Sequence, residues 1–289
     1  MVAGNGGQIG RRRLQTGDTH EHSSNPAAAA ALAQSMTELE GLAGYRDFLV
    51  SHARLLLADE ATVQVEGLRA GTYHGRTPTA ALGNAFVYHR ALDQIIDNAI
   101  RAERDGFDAF VIGSFSEPFL REIRSAVSIP VTGILESSML VACSLGHRVA
   151  PIANAPEIAA IVQAAVAKHG LEDRVLPAVA LDPPMHEAEL VAAAATDPQA
   201  ALQAFAKAAQ HAIDHQGADV IVPAEAVLAT LVIANQLRTI GGAPVVDVLA
   251  IAWRYALMMI RLRSDCGVEV SRVGAYARSD PALVALMAR

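Results

Sequence analysis

The stretch "GADVIVPAEAVL", Gly217–Leu228, has the pattern of a β-strand that runs through a turn into an α-helix. Its apolar, β-branched first half is typical of a buried strand. A carboxylate, Glu225, stands where the strand ends. The earlier stretch "DAFVIGSFSEPFL", Asp108–Leu120, has the same strand, turn and helix plan. The repetition indicates two lobes of similar construction.

Short apolar segments of this kind alternate along the chain with longer segments of helical periodicity. The predicted strands are Ala61–Leu68, Asp108–Ser114, Ile129–Ile134, Arg148–Ala153, Val175–Leu181, Asp219–Ala224 and Pro244–Val248. A further first strand falls on "RRRLQTGD", Arg11–Asp18. The predicted helices include Phe86–Glu103, Glu157–His169, Pro198–His215 and the alanine run Ala27–Ala31. This alternation predicts parallel sheets covered by helices, which is an α/β fold.

Composition limits the classes of function. A chain of 289 residues with 52% hydrophobic residues can bury a large core, and two lobes are the default at this size. The net charge of -7 argues against a nucleic-acid partner. No uncharged apolar run reaches the roughly 20 residues of a spanning helix, so we expect no membrane partner.

The cysteine content favours a reducing compartment. Two cysteines, Cys143 and Cys266, are too few for a disulfide framework, and their surroundings lack metal-site spacing. The basic run Arg11–Arg13 is separated from the alanine run by the polar segment "QTGDTHEHSSNP", so it is not interpreted as an export signal. The sequence predicts a cytoplasmic protein.

Three stretches together carry a family resemblance. The segment Gly106–Met139, with "GADVIVPAEAVL" and "APVVDVLA" (Ala243–Ala250), resembles the aspartate/glutamate/hydantoin racemase superfamily. The resemblance implies two Rossmann-like lobes with parallel sheets and pseudo-twofold symmetry. On that plan residues 1–147 plus 249–289 form the first lobe and residues 148–248 the second. The active site would lie in the cleft between them.

The resemblance also implies two catalytic cysteines, one from each lobe, that remove and return a proton. They would fall at Ser114 and Glu225, and this chain has neither thiol. An alcohol has no accessible anion near neutral pH unless it is activated, so two-thiol racemisation is not expected. Glu225 could act as a single base if a dry pocket raises its pKa.

Both residues also have simpler interpretations. Ser114 could close a tight turn through a bond to a backbone carbonyl. Glu225 could cap the helix that begins near Ala226, where a carboxylate meets the positive end of the helix dipole.

Three histidines suggest a metal site. In "THEH", Thr19–His22, the residues His20 and His22 would project from one face of an extended chain. His74, in "TYHG", would lie at the same end of the sheet. With Glu225 they predict a three-imidazole, one-carboxylate site for Mn, Zn, Co or Fe. The alternative is a solvated loop for the first two histidines and a backbone contact for His74. No nucleotide cofactor is expected.

A substrate carboxylate would need neutralising groups. Helix starts after Ser114 and Glu136 offer backbone amides. Glu136 is either a second acid/base group or the N-terminal acid of its helix. The side chains predicted to bind substrate are Tyr73, Ser116, Glu136, Ser137 and Ser138.

Three functions remain open on the sequence. The first is a metal-assisted hydrolase or lyase for a small carboxylate-bearing hydantoin-like or thiohydantoin-like substrate. The second is a metal-free isomerase, of the hydantoin or amino-acid racemase type, with Glu225 as base. The third is a catalytically silent protein that binds a small acid. A homo-oligomer is also expected, because the segment Val248–Leu262 is apolar on nearly every side.

Overall fold

The computed structural model describes residues 29–35 and 42–288, apart from the side chain of residue 79. Its strands are β1 Ala30–Ser35, β2 Ala61–Glu66, β3 Ala109–Ile112, β4 Val131–Gly133, β5 Val149–Ala153, β6 Val179–Ala180, β7 Val220–Pro223, β8 Thr239–Ile240 and β9 Ala243–Pro244. Its helices are α1 Ala43–Leu57, α2 Pro78–Leu82, α3 Ala85–Leu92, α4 Gln94–Arg104, α5 Leu120–Ala126, α6 Ile134–Leu145, α7 Pro156–Lys168, α8 Glu187–Ala195, α9 Gln199–Gln216, α10 Ala226–Ala234, α11 Val248–Cys266 and α12 Pro281–Met287. A short 3-10 helix covers Gly274–Tyr276.

The strands form two parallel sheets. The first has the order β2-β1-β3-β4 and the second the order β6-β5-β7, while β8 and β9 form a small antiparallel pair. In the first sheet Ser35 lies level with Glu66 and with Ile112. The carboxyl ends of these strands therefore lie along one edge. Such edges are where ligands collect in parallel α/β sheets. The predicted α/β architecture is confirmed.

The alanine run is the main error of the prediction. Ala30 and Ala31 were expected in a helix, but they begin β1. The central position of β1, between β2 and β3, explains the difference. There its backbone pairs on both sides, and Leu32 and Ala33 are buried, which outweighs the helical propensity of alanine. The first strand predicted at Arg11–Asp18 lies outside the described residues.

Three further segments differ from prediction. The strand expected at Val175–Leu181 is reduced to β6 and one bridge from Val175 to Val149. The strand expected at Pro244–Val248 is reduced to β9 and one bridge from Val245 to Ile221. It ends early because Asp247 already caps α11, where its side chain accepts a hydrogen bond from the amide of Ala250 at 2.9 Å. The helix expected at Phe86–Glu103 is divided at Asp93 into α3 and α4.

A buried hydrogen bond ties the last long helix to the first sheet. Trp253 of α11 is fully buried, and its indole Nε1 donates to Oε1 of Gln34 in β1 at 2.7 Å. The Gln34 side chain in turn lies against Gly113 after β3, where an added Cβ would come within 2.6 Å of the Gln34 Nε2. Gly113 therefore allows the polar pair to be buried beside the strands that lead to the site.

Helix α11 is the helix that the sequence suggested could be buried between subunits. Its first half packs within the chain, with Leu249, Trp253 and Ala256 buried, whereas Met258 is exposed. The homo-oligomer stays a prediction. Across the described ranges, no helix combines the length and the apolar character that a membrane span needs.

We predict that Trp253→Phe lowers the free energy of unfolding by about 1–3 kcal/mol, because Gln34 keeps a buried acceptor without its donor. Urea denaturation measures this change. The double variant Trp253→Phe with Gln34→Leu removes both polar partners and should recover part of the loss. A Trp253→Phe protein as stable as the unchanged chain would contradict the structural role of this bond.

Candidate active site

A cavity of about 130 Å³ lies where β3 and β7 end. One wall is the segment 113–116, which follows β3 of the first sheet, and another is the segment 224–227, which follows β7 of the second. The side chains of Ser114 and Glu225 therefore line the same small space, although they are far apart in the sequence. Other lining residues come from α1, α7 and α8, and they include Tyr45, Glu157, Ile158, Ile161 and Glu187.

Glu225 is held rigidly at the start of α10. Its side chain is buried, with 9% of the residue exposed. The carboxylate Oε1 accepts a hydrogen bond from the amide of Val227 at 2.9 Å, and Oε2 accepts from the amide of Leu228 at 2.7 Å. Glu225 thus caps the helix, as one sequence interpretation proposed, and the same group also lines the cavity.

The environment of Glu225 brings its pKa close to neutrality. Its pKa is raised from 4.5 to about 7, and burial is the largest cause of the rise. The hydrogen bonds from the backbone amides favour the ionised form and oppose this rise, while the negative charge of Glu187 adds to it. A carboxyl group with a pKa near 7 can both accept and donate a proton at neutral pH.

Ser114 lies in a tight turn and contacts a second hydroxyl group. Its carbonyl accepts a hydrogen bond from the amide of Glu117 at 3.1 Å. Its Oγ lies 3.0 Å from the Oγ of Ser116. Tyr88 lines the same cavity, and burial, the largest influence, raises its pKa, while the neighbouring Ser116 opposes this rise. The hydroxyl groups of Ser114 and Ser116 thus form a bonded pair, and Tyr88 lines the cavity with them.

A larger cavity of about 670 Å³, here named the outer cavity, adjoins the small one and shares Tyr88, Ser116 and Ile161 with it. Glu136 lies in its wall, and the guanidinium of Arg124 bonds both oxygens of the Glu136 carboxylate. Burial disfavours the charge on Glu136, but the bonds and charge of Arg124 outweigh it and lower the pKa. Glu136 is therefore a paired, ionised group rather than an available base.

Comparison with known proteins now identifies the family. The sequence profile described as "Asp/Glu/Hydantoin racemase" matches residues 72–256, which is more than half of the chain. The chain belongs to this family. Its relatives include a hydantoin racemase of Pseudomonas sp. (strain NS671), 25% identical over 197 residues that cover 68% of this chain and 74% of the relative. A hydantoin racemase of Rhizobium meliloti is 29% identical over 177 residues, covering 61% and 68% respectively.

Solved structures agree on the fold. The allantoin racemase from Pseudomonas fluorescens superposes with a TM-score of 0.69 at 22% identity, covering 87% of this chain and 97% of that one. The allantoin racemase from Klebsiella pneumoniae gives a TM-score of 0.67 at 21% identity, covering 87% and 94%. Both likenesses establish the Asp/Glu racemase architecture of this chain.

Within this racemase-family fold, the structure does not bring every predicted residue to the site. Ser137 and Ser138 are buried on α6, and the Ser137 hydroxyl donates to the carbonyl of Gly133 at 2.6 Å. Tyr73 is buried in a hydrophobic cluster of the first sheet. None of the three lines either cavity. The two cavities are bordered by four of the predicted site residues, namely Ser114, Ser116, Glu136 and Glu225.

The predicted metal ligands do not assemble in the described part of the chain. His20 and His22 lie outside it. His74 is exposed, has a left-handed backbone with φ 51°, and does not line the cavity of Glu225. Among residues 29–35 and 42–288, no group of three or more His, Cys, Asp or Glu side chains is arranged to hold a metal ion. The described residues alone therefore form no such site, and the ligand set that includes His20 and His22 stays a prediction.

Sequence reasoning missed two buried groups of the small cavity. Tyr45 on α1 has a pKa raised by burial and by the charge of Glu225, and its hydroxyl has no hydrogen-bond partner among the described residues. Glu187 begins α8 and is buried beside the same space. The position of Glu187, shortly after the strand β6, is a signal that could have revealed it. The position of Tyr45 within a helix gave no such signal.

The raised pKa of Glu225 predicts a pH-dependent stability. Neutral Glu225 stabilises the fold fully below about pH 4.5, and this contribution is lost as the pH rises through 7. The shift corresponds to about 3 kcal/mol. We therefore expect the free energy of unfolding, relative to that of Glu225→Gln, to fall by about this amount between pH 4.5 and pH 8 in urea titrations. A difference that stays constant over this range would contradict a raised pKa.

Proposed function

We propose that this protein is a metal-free isomerase of the hydantoin racemase type, with Glu225 as its base. The observation that carries the proposal is the buried Glu225 carboxyl, with a pKa of about 7, in one small cavity with the hydroxyl of Ser114. The reaction class is proton removal from a carbon next to a carbonyl group. The names of the related proteins, which are hydantoin racemases, support isomerisation more than hydrolysis.

Glu225 carries out the first step. Its ionised carboxylate takes the proton of the stereogenic ring carbon, and the electron pair of the broken C–H bond moves into the adjacent carbonyl to give an enolate. The fixed orientation of the carboxylate, set by the amides of Val227 and Leu228, removes the need to reorganise during transfer. The buried hydroxyl of Tyr45 is available to donate a hydrogen bond to negative charge.

Inversion requires that a proton reach the other face of the planar enolate. Ser114 lies on the wall that belongs to the other sheet. An alcohol is a poor base, but it can pass its proton to a carbanion when a neighbour replaces that proton. Ser116 bonds Ser114 and lines the outer cavity as well, so this pair leads from the ring carbon toward the outer cavity. Solvent then restores the hydroxyl proton and accepts the proton from Glu225.

The metal-assisted hydrolase or lyase becomes the second hypothesis, because His74 lies away from the cavity and the cited relatives are racemases. Metal analysis of protein purified without an affinity tag separates the two. The isomerase should keep its activity after treatment with a chelator. A stoichiometric transition metal, with activity lost on chelation and restored by the metal, would favour the hydrolase or lyase.

We predict that Glu225→Gln slows C5 proton exchange of 5-methylhydantoin at least 100-fold, because removal of the base removes the first step. Loss of the C5–H signal in D2O, followed by NMR and corrected for the uncatalysed rate, measures it. The control Glu157→Gln changes another acid of the same cavity that does not hold the helix amides. Full exchange by Glu225→Gln would reject Glu225 as the base. No exchange by the unchanged protein would favour the silent binding protein.

Ser114→Ala should separate exchange from inversion. Glu225 remains, so deuterium still enters at the ring carbon, while the change of optical rotation slows at least 10-fold because the second face lacks its donor. NMR and polarimetry on the same sample compare the two rates. An equal loss of both rates would contradict the assignment of separate faces to Glu225 and Ser114.

A further inference from the structure

We propose that the outer cavity is a second part of the substrate site, and that it selects hydantoins whose 5-substituent ends in an anionic group. This inference rests on the proposed function and specifies its substrate class. It depends on three features of the site. The first is the small volume of the cavity beside Ser114 and Glu225, here named the inner cavity. The others are the residues shared by the two cavities and the hydrogen-bond donors of the outer wall that have few partners.

The inner cavity accommodates little more than a ring. Its volume of about 130 Å³ is below the roughly 300–1,000 Å³ that is usual for small-molecule sites. The outer cavity of about 670 Å³ begins at Ser116, Tyr88 and Ile161, which line both spaces. When the substrate ring lies between Ser114 and Glu225, its substituent leaves the inner cavity past these shared residues and enters the outer cavity. The outer wall then determines which substituents bind well.

Two of the three carboxylates of the outer wall, those of Glu117 and Glu136, are occupied at both oxygens. Glu117 is fully buried, and its Oε1 accepts from the amide of Glu136 at 2.8 Å while its Oε2 bonds Nε2 of His169 at 2.5 Å. Both oxygens of Glu136 accept from Arg124, which also donates to the carbonyl of Val131. These bonds hold the two buried carboxylates in place, while the third carboxylate, Glu122, accepts from Arg121 through Oε1.

Hydrogen-bond donors, by contrast, remain in excess. The ammonium group of Lys168 has three N–H donors, and among the described residues its bond is to the carbonyl of Glu117 at 3.1 Å. The guanidinium of Arg121 has five donors and bonds Oε1 of Glu122 at 2.7 Å. Both side chains line the outer cavity. A carboxylate entering this space would gain charge-assisted hydrogen bonds without displacing the buried pairs.

The position of Lys168 makes it the better residue to change. It ends α7, which belongs to the second sheet's side of the site, and its exposed side chain reaches the segment after Ser116. The only other lysine in the described residues is Lys207 on α9, which is exposed and lines neither cavity. Lys207→Gln is therefore a matched control for Lys168→Gln.

The test measures binding with two ligands of almost equal shape. Racemic 5-(2-carboxyethyl)hydantoin and its neutral analogue 5-(2-carbamoylethyl)hydantoin are titrated calorimetrically into the unchanged protein, Lys168→Gln and Lys207→Gln. Because each ligand is racemic, isomerisation does not alter its composition. We expect Lys168→Gln to raise the Kd of the carboxylate ligand about 5–10-fold. The Kd of the carbamoyl ligand should change less than twofold, and Lys207→Gln should leave both unchanged.

An equal effect of Lys168→Gln on both ligands, no effect on either, or no binding of the carboxylate ligand would overturn the inference. Arg121→Gln, with its exposed side chain, provides a second variant with the same expected pattern if Lys168→Gln does not fold. Deuterium exchange at C5 is measured separately. If deuterium exchanges at C5 but binding does not depend on the charge of the ligand, this inference alone is rejected. If binding depends on charge but no deuterium exchanges, the proposed isomerase alone is rejected.

Discussion

The site depends on a buried carboxylate at the start of a helix. The two amides that bond Glu225 favour its ionised form, whereas burial and the nearby charge of Glu187 favour the neutral form. These opposing effects leave the pKa near 7. The parallel strands β3 and β7 then place this group and Ser114 around one cavity. A carboxyl group that is balanced in this way can accept and donate a proton at neutral pH, which is the role proposed for Glu225.

Much of the fold could be predicted because the strands of parallel sheets are short, apolar and separated by helices. Five segments gave strands where the sequence placed them, with changes only at their ends, and a sixth, Val175–Leu181, kept only the two residues of β6. The strand β1 was missed because "AALAQS", Ala30–Ser35, is composed of residues that also suit helices. Its conformation is set by β2 and β3 on either side, which local sequence does not reveal.

The position of a cavity-lining residue could be predicted where that residue closely follows a strand. Ser114 and Glu225 closely follow strands, so parallel topology places each at the carboxyl end of its own sheet. That the two ends face one cleft was implied only by the family resemblance. Ser138, by contrast, is on a helix, and the rotation of α6 turns it away from both cavities. Tyr45 enters the site through the packing of α1. Such placements depend on helix packing, which a single sequence does not show. The outer cavity likewise arises from contacts between distant segments, such as Glu117 with His169.

The most direct test of the account is the pH dependence of kcat/KM for C5 deuterium exchange, because this quantity reports ionisation in the free enzyme. If Glu225 is the base, the rate should rise with pH and level off with a midpoint near 7, as its burial predicts. A midpoint near the ordinary carboxyl value of 4.5, or a rate that is independent of pH between 5 and 9, would contradict the central role of the buried carboxylate.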